Sequence, residues 1–171
     1  MDKVNFLNNE FWMLSVMGAF QRANLYRPNT SEMERVYFRR ILRGYLDNMI
    51  NMAYHKPVEE EDHIEHIKSI CRYTEGHNDL LENGKLNFGI SQKLLNLYLK
   101  YHWCMGLIPT PPHFPVDSII QKKLDLKVIP WTKMTDENDY LSIINSAKIN
   151  LKKYNCDSLA ELELLLFVRN T

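Results

Sequence analysis

Apolar residues recur at helical spacing along most of the chain, and nowhere do they alternate as a half-buried strand requires. The pattern predicts a first helix over about residues 8–24. Phe11, Leu14, Met17 and Ala19 form one side of it, and Trp12, Met13, Val16 and Phe20 carry the apolar character almost all round. A helix of that kind is expected at the centre of a core. Pro28 and Asn29 break the pattern. Ser31 with Glu34 reads as a capping box, and Val36, Tyr37, Ile41, Leu42, Tyr45, Met49 and Met52 continue a second helix until Pro57.

A third helix is expected over about residues 58–74, with Ile64, Ile67, Ile70 and Cys71 as its buried stripe. Its start carries Glu59, Glu60, Glu61 and Asp62, where the helix dipole favours negative charge. Asn83-Gly84 and Gly89 read as turns, and a fourth helix follows over about residues 91–104 with Ser91 as its cap. Pro109, Pro111, Pro112 and Pro115 make the next stretch a loop. Asp117 caps a short helix to about Leu124, and Pro130-Trp131 breaks the chain again. Two last helices are expected over about residues 136–152 and 158–168, the second with a Ser158/Glu161 capping box. The fold class expected is all-α: one domain over residues 1–171, a compact bundle of six or seven helices with no sheet.

Composition narrows the function. The 171 residues are 45% hydrophobic and 25% charged, an ordinary globular balance. Lys plus Arg is 21 and Asp plus Glu is 21, so nucleic-acid binding by bulk positive charge is excluded and only a local basic patch could serve. Cys71, Cys104 and Cys156 are far apart and form no C-x-x-C pair, which points to reduced thiols in a cytoplasmic protein. The apolar stretch from Phe11 to Phe20 is too short to span a bilayer, and Asp2 and Glu10 precede it instead of a basic segment. No signal peptide, membrane association or cofactor is expected.

The segment from Gly84 to Lys122 carries the most chemistry. A glycine turn at Gly89 leads into a helix whose first turn holds Lys93, and Asp117 follows Pro115-Val116 at the head of another helix. Free N–H groups at a helix start can hold a phosphate. A lysine whose ammonium form is disfavoured is a better nucleophile, and a nearby carboxylate stabilises positive charge developing on a sugar.

This layout resembles the helix-hairpin-helix DNA glycosylases. The resemblance implies a hairpin at Gly89 and Ser91 gripping the nucleic-acid backbone, Lys93 as the nucleophile and Asp117 as the catalytic carboxylate. It also implies an aromatic pocket for an extruded base, for which Trp103 and Phe114 are the candidates. The chain has one glycine where that family's hairpin has two, lacks its cysteine cluster, and sets Lys93 four residues after Gly89. The same stretch is similar to an uncharacterised bacterial protein family sharing Gly89, Gln92-Lys93, Lys100-Tyr101, Pro115 to Ile120 and Trp131-Thr132-Lys133; that likeness implies no activity.

Three other patterns compete. Arg35, Arg39 and Arg43 lie four apart and form one stripe on the second helix, either a local basic patch for DNA or RNA or a solvated face paired with the acidic start of the third helix. His63 and His66 stand with Asp62 on one helix face, but no further ligands are specified, so no metal is expected. Arg72 and His77 have the spacing of HEPN ribonucleases, which implies an Arg and a His sharing one exposed helix face. The reading favoured is a nucleic-acid-binding protein with a lysine nucleophile acting on N-glycosidic bonds. The alternatives are a non-catalytic interaction protein or homodimer using the first helix or the proline loop, and a HEPN-like ribonuclease.

Overall fold

The structure, a computed structural model, describes residues 2–167. The described residues form seven α-helices and one 3₁₀ turn joined by loops, and no sheet forms among them. The helices are α1 (Lys3–Phe20), α2 (Glu32–Ala53), α3 (Glu60–Glu75), α4 (Phe88–Cys104), α5 (Ser118–Lys123), α6 (Glu137–Tyr154) and α7 (Leu159–Leu166), with the 3₁₀ turn Trp131–Lys133 between α5 and α6.

The caps explain the boundaries. Asp2 accepts from the Asn5 N–H and starts α1 earlier than its apolar pattern suggests. The Ser31/Glu34 capping box forms at the head of α2, and Ser158 accepts from the Glu161 N–H at the head of α7. The last residue expected in that helix, 168, lies outside the described residues. Asn155 ends α6 in the left-handed region, at φ 53°.

The centre of the core is α4, not α1. Every residue of α4 from Phe88 to Lys100 is buried except the half-buried Leu97. α1 packs along it, with Phe11 stacked on Tyr101 and Trp12 edge-on to Tyr98, but keeps Val4, Phe6, Met13 and Met17 exposed. All-round apolarity therefore does not put α1 at the centre. α4 is buried all round although it carries Ser91, Gln92, Lys93, Asn96 and Lys100, because each of those polar side chains has a partner inside the protein.

The proline loop before α5 runs through the interior. Pro111, His113, Phe114, Pro115 and Val116 are all buried. A buried loop must have its backbone groups satisfied. Gln92 does this at Val116, donating from Nε2 to the carbonyl at 2.8 Å and accepting the Val116 N–H on Oε1 at 3.1 Å. Gln121 does the same for Ile129, at 3.0 and 2.7 Å.

Candidate functional site

Gly89 is not a turn. It lies in the first turn of α4, which Asn87 caps by accepting the Ile90 N–H at 2.9 Å. Its role is close approach: a Cβ built there would sit 1.7 Å from the Trp131 carbonyl oxygen. The Gly89 N–H donates to the Met134 carbonyl at 3.0 Å, and Asn87 Nδ2 donates to the Thr132 carbonyl at 2.7 Å. The 3₁₀ turn is thus held directly against the head of α4. Ser91 is not the cap either; it is buried, and its hydroxyl accepts from the Cys71 thiol at 3.3 Å. Neither Gly89 nor Ser91 faces solvent, so the hairpin grip on a phosphate backbone expected of them does not form.

The docked turn places the Trp131 ring over Lys93, with Nζ 4.3 Å from the ring centroid. On its other side Nζ lies 3.1 Å from Asp117 Oδ2. The lysine and aspartate picked out from sequence are therefore neighbours across 24 residues of chain. Asp117 is fixed because its Oδ1 accepts the N–H groups of Ile119 and Ile120, at 2.8 and 3.0 Å, as the cap of α5. Only Oδ2 is left for Lys93. The Lys93 side chain is 10% exposed and that of Asp117 is 25% exposed. Burial pushes the Lys93 ammonium below its usual pKa, against the opposing pull of Asp117.

A second buried pair lies further along α4. Lys100 Nζ is 2.7 Å from Glu163 Oε2 and 3.0 Å from Oε1, with side chains 9% and 8% exposed. Burial raises the Glu163 carboxyl above its usual value, and Lys100 opposes that shift. Two amines on one helix thus meet carboxylates from the head of α5 and from α7. The pairing of Lys100 with Glu163 was not read from the sequence. The signal for it was there: Gln92, Lys93, Asn96 and Lys100 recur along a helix face that otherwise reads as core.

Behind Gln92 a buried polar chain crosses the core. Asn96 Nδ2 reaches Gln92 Oε1 at 3.3 Å and donates to the Tyr140 hydroxyl at 3.0 Å. That hydroxyl lies 3.0 Å from His113 Nδ1, and His113 Nε2 is 3.4 Å from Glu60 Oε2. Desolvation lowers His113 to about 4, so its ring is neutral at pH 7. His63, also buried, is lowered well below its usual value by the same cause. The Tyr54 hydroxyl bridges His63 and His66, at 2.7 and 3.0 Å from their Nδ1 atoms. Among the described residues no group of three or more His, Cys, Asp or Glu side chains is placed to hold a metal.

Phe114 is 1% exposed and belongs to the core, so it presents no face to an extruded base. Trp103 packs part-buried against the core on the last turn of α4. The expected aromatic base pocket does not form from this pair.

The arginine stripe is also spoken for, and by partners other than the start of α3. Arg35 lies 5.1 Å over the Tyr26 ring, Arg39 pairs with Glu32 at 2.6 Å, and Arg43 donates to Asn9 Oδ1 at 2.6 Å beside Asp47. It is therefore not a patch of uncommitted cations. Arg72 pairs with Glu65 on α3, while His77 lies beyond the end of that helix with its ring against Phe38 and Tyr73. Arg72 and His77 do not share a helix face as the ribonuclease pattern requires.

The chain matches no protein-family profile, no curated protein and no solved structure. No described helix is long and apolar enough to cross a membrane. The local geometry is thus the whole ground for a functional reading.

Proposed function

We propose that the Lys93–Asp117 pair is an amine–carboxylate site acting on the C1′ carbon of a nucleic-acid sugar, cleaving an N-glycosidic bond or an abasic site. The observation that carries this is the 3.1 Å approach of Lys93 Nζ to a carboxylate oxygen whose partner oxygen is held by the α5 cap. The Lys93 ammonium, disfavoured by burial, gives its proton to water. The neutral amine then forms a bond to C1′ as the bond to the base breaks with its electron pair, and the departing base takes a proton from water. The C1′–O4′ bond then breaks with its electron pair, O4′ takes a proton from the nitrogen, and the opened sugar is left as an iminium. The fixed Asp117 charge stabilises the positive charge on the sugar during this displacement.

Borohydride trapping tests it. An oligonucleotide bearing an abasic site presents a C1′ aldehyde; the amine adds, water leaves, and hydride from borohydride reduces the iminium to a stable secondary amine. The expected result is a covalent adduct with the wild-type chain and none with Lys93→Ala. An adduct that persists in Lys93→Ala, or none in wild type, overturns the reading.

A second reading rests on α1. Phe6, Met13 and Met17 lie on one stripe and are 51%, 53% and 55% exposed. That face suits a non-catalytic interaction protein, a homodimer included. Sedimentation of wild type beside Met13→Glu/Met17→Glu tests it: a dimer that the substitutions dissociate supports it, and a monomer in both discards the homodimer.

A further inference from the structure

We propose that a cleft beside the 3₁₀ turn binds a nucleoside monophosphate unit, free or at the end of a strand. This cleft of about 470 Å³ is walled by Cys71 of α3, by the loop before α4 and by the chain following Trp131. Its size lies within the range of small-molecule sites, about 300–1,000 Å³. The walls are fixed to one another. The Leu86 N–H donates to the Thr74 hydroxyl at 3.0 Å, joining the loop to α3. The Asn87 side chain bonds the Thr132 carbonyl at 2.7 Å, joining the loop to the 3₁₀ turn. A cleft held this way loses little freedom when it is filled.

Its lining divides into two parts. Leu86 and Phe88 lie buried beneath the cleft, and Cys71 with the aliphatic stems of Lys85 and Lys133 supplies its apolar surface. Lys133 supplies a positive charge, and its ammonium has no counter-ion among the described residues. Lys85 adds a second ammonium at the rim, held by Glu75 at 2.5 Å. The hydroxyls of Thr132 and Thr135 and the Asn83 amide line the same cleft, and none of the three is engaged in a side-chain hydrogen bond. An uncompensated ammonium with several free neutral donors suits an anion with several acceptor oxygens, which is what a phosphate monoester presents. The apolar part of the lining and the volume call for an organic body beyond the phosphate. A nucleoside monophosphate has both parts. The inference stands on this cleft alone and does not depend on the amine chemistry of Lys93.

The test is titration of the full-length chain with adenosine monophosphate, adenosine and inorganic phosphate in parallel, followed by calorimetry and by amide chemical shifts. The expected result is saturable binding of the monophosphate, with the largest shifts at Cys71, Leu86 and Thr135. Adenosine alone and phosphate alone are expected to bind at least tenfold more weakly. Lys133→Ala is expected to weaken the monophosphate about tenfold, the size of one charge-assisted contact, and Lys133→Arg to restore it. Lys133 is exposed, so an unchanged melting temperature in Lys133→Ala certifies its fold. A 5′-phosphorylated dinucleotide run alongside separates the sources: equal affinity points to a strand end, and loss of affinity to a free nucleotide. No saturable binding of the monophosphate, or shifts that map elsewhere, overturns the proposal. Equal affinity for phosphate alone also overturns it. A failed borohydride trap with intact nucleotide binding would remove the Lys93 reading and leave this one standing.

Discussion

Replacing Gly89 by alanine separates the two readings of that glycine. The added Cβ would lie 1.7 Å from the Trp131 carbonyl oxygen, 2.8 Å from its carbon and 3.0 Å from the Met134 Cβ. A carbon approaches an oxygen no closer than about 3.3 Å without strain, so the 3₁₀ turn must retreat by about 1.6 Å. The nearest atoms are backbone, so no rotamer change relieves the contact. The retreat breaks two hydrogen bonds, Gly89 N–H to Met134 and Asn87 to Thr132, each contributing about 1 kcal/mol. It also draws the Trp131 ring off Lys93, costing about 1 kcal/mol. Loosened packing around a tryptophan only 4% exposed adds a further 1–2 kcal/mol or so, in the range of core perturbations. The better helix propensity of alanine returns about 1 kcal/mol. The net expectation is a loss of about 3–4 kcal/mol.

Urea unfolding read by circular dichroism and tryptophan fluorescence measures that loss, which should lower the midpoint by about 1–2 M. Gly44→Ala is the matched control, because Gly44 lies within α2 and a Cβ there meets nothing within 4 Å. It should stabilise by up to about 1 kcal/mol. If Gly89→Ala is as stable as wild type and instead loses affinity for DNA, the packing argument is refuted and the hairpin role returns.

Three further expectations follow from the buried charges. Lys100→Met alone should cost about 3–5 kcal/mol by leaving Glu163 buried without its partner, whereas Lys100→Met with Glu163→Leu should come close to wild type in the same unfolding assay. Asp117→Ala should destabilise more than Asp117→Asn, by about 1 kcal/mol, because asparagine keeps the cap to Ile119 and Ile120 while both lose the charge facing Lys93; equal losses would show that the cap contributes nothing. His113 has a folded pKa depressed from 6.5 to about 4, so the unfolded chain binds more protons between those values. Stability from this group should be complete above about pH 6.5 and fall as pH drops toward 4, a loss of about 3 kcal/mol that His113→Gln should reduce; a flat profile over that window would contradict the buried, neutral ring.

Much of the fold was legible because helix formation is local. The Ser31/Glu34 box, the Ser158 cap and the Asp117 cap are all set by residues three or so apart; the first and last form as the sequence suggests, while at Ser158 the cap forms but the Glu161 side chain accepts the Asp157 N–H and leaves the box half-made. The starts of α1 and α4 were misplaced because Asp2 and Asn87 cap helices ahead of the apolar patterns that were read. Lys93 and Asp117 stand out in the sequence by residue type, each at a helix head, and by the segment's resemblance to a glycosylase layout; their contact across the proline loop belongs to the tertiary structure.

The sequence by itself determined an all-α chain and most of its helix boundaries, since caps, periodicity and proline density act within a few residues. Which helix became the centre was decided only by tertiary structure. α1 has the more uniform apolar surface, yet α4 is enclosed, because Gln92, Asn96 and Lys100 find partners in Val116, Tyr140 and Glu163 at separations of 24, 44 and 63 residues. The role of Gly89 was settled the same way, by a carbonyl more than forty positions along the chain. Partners that far apart leave no trace in local pattern, and the free energy of burying a polar group changes sign with whether such a partner is present.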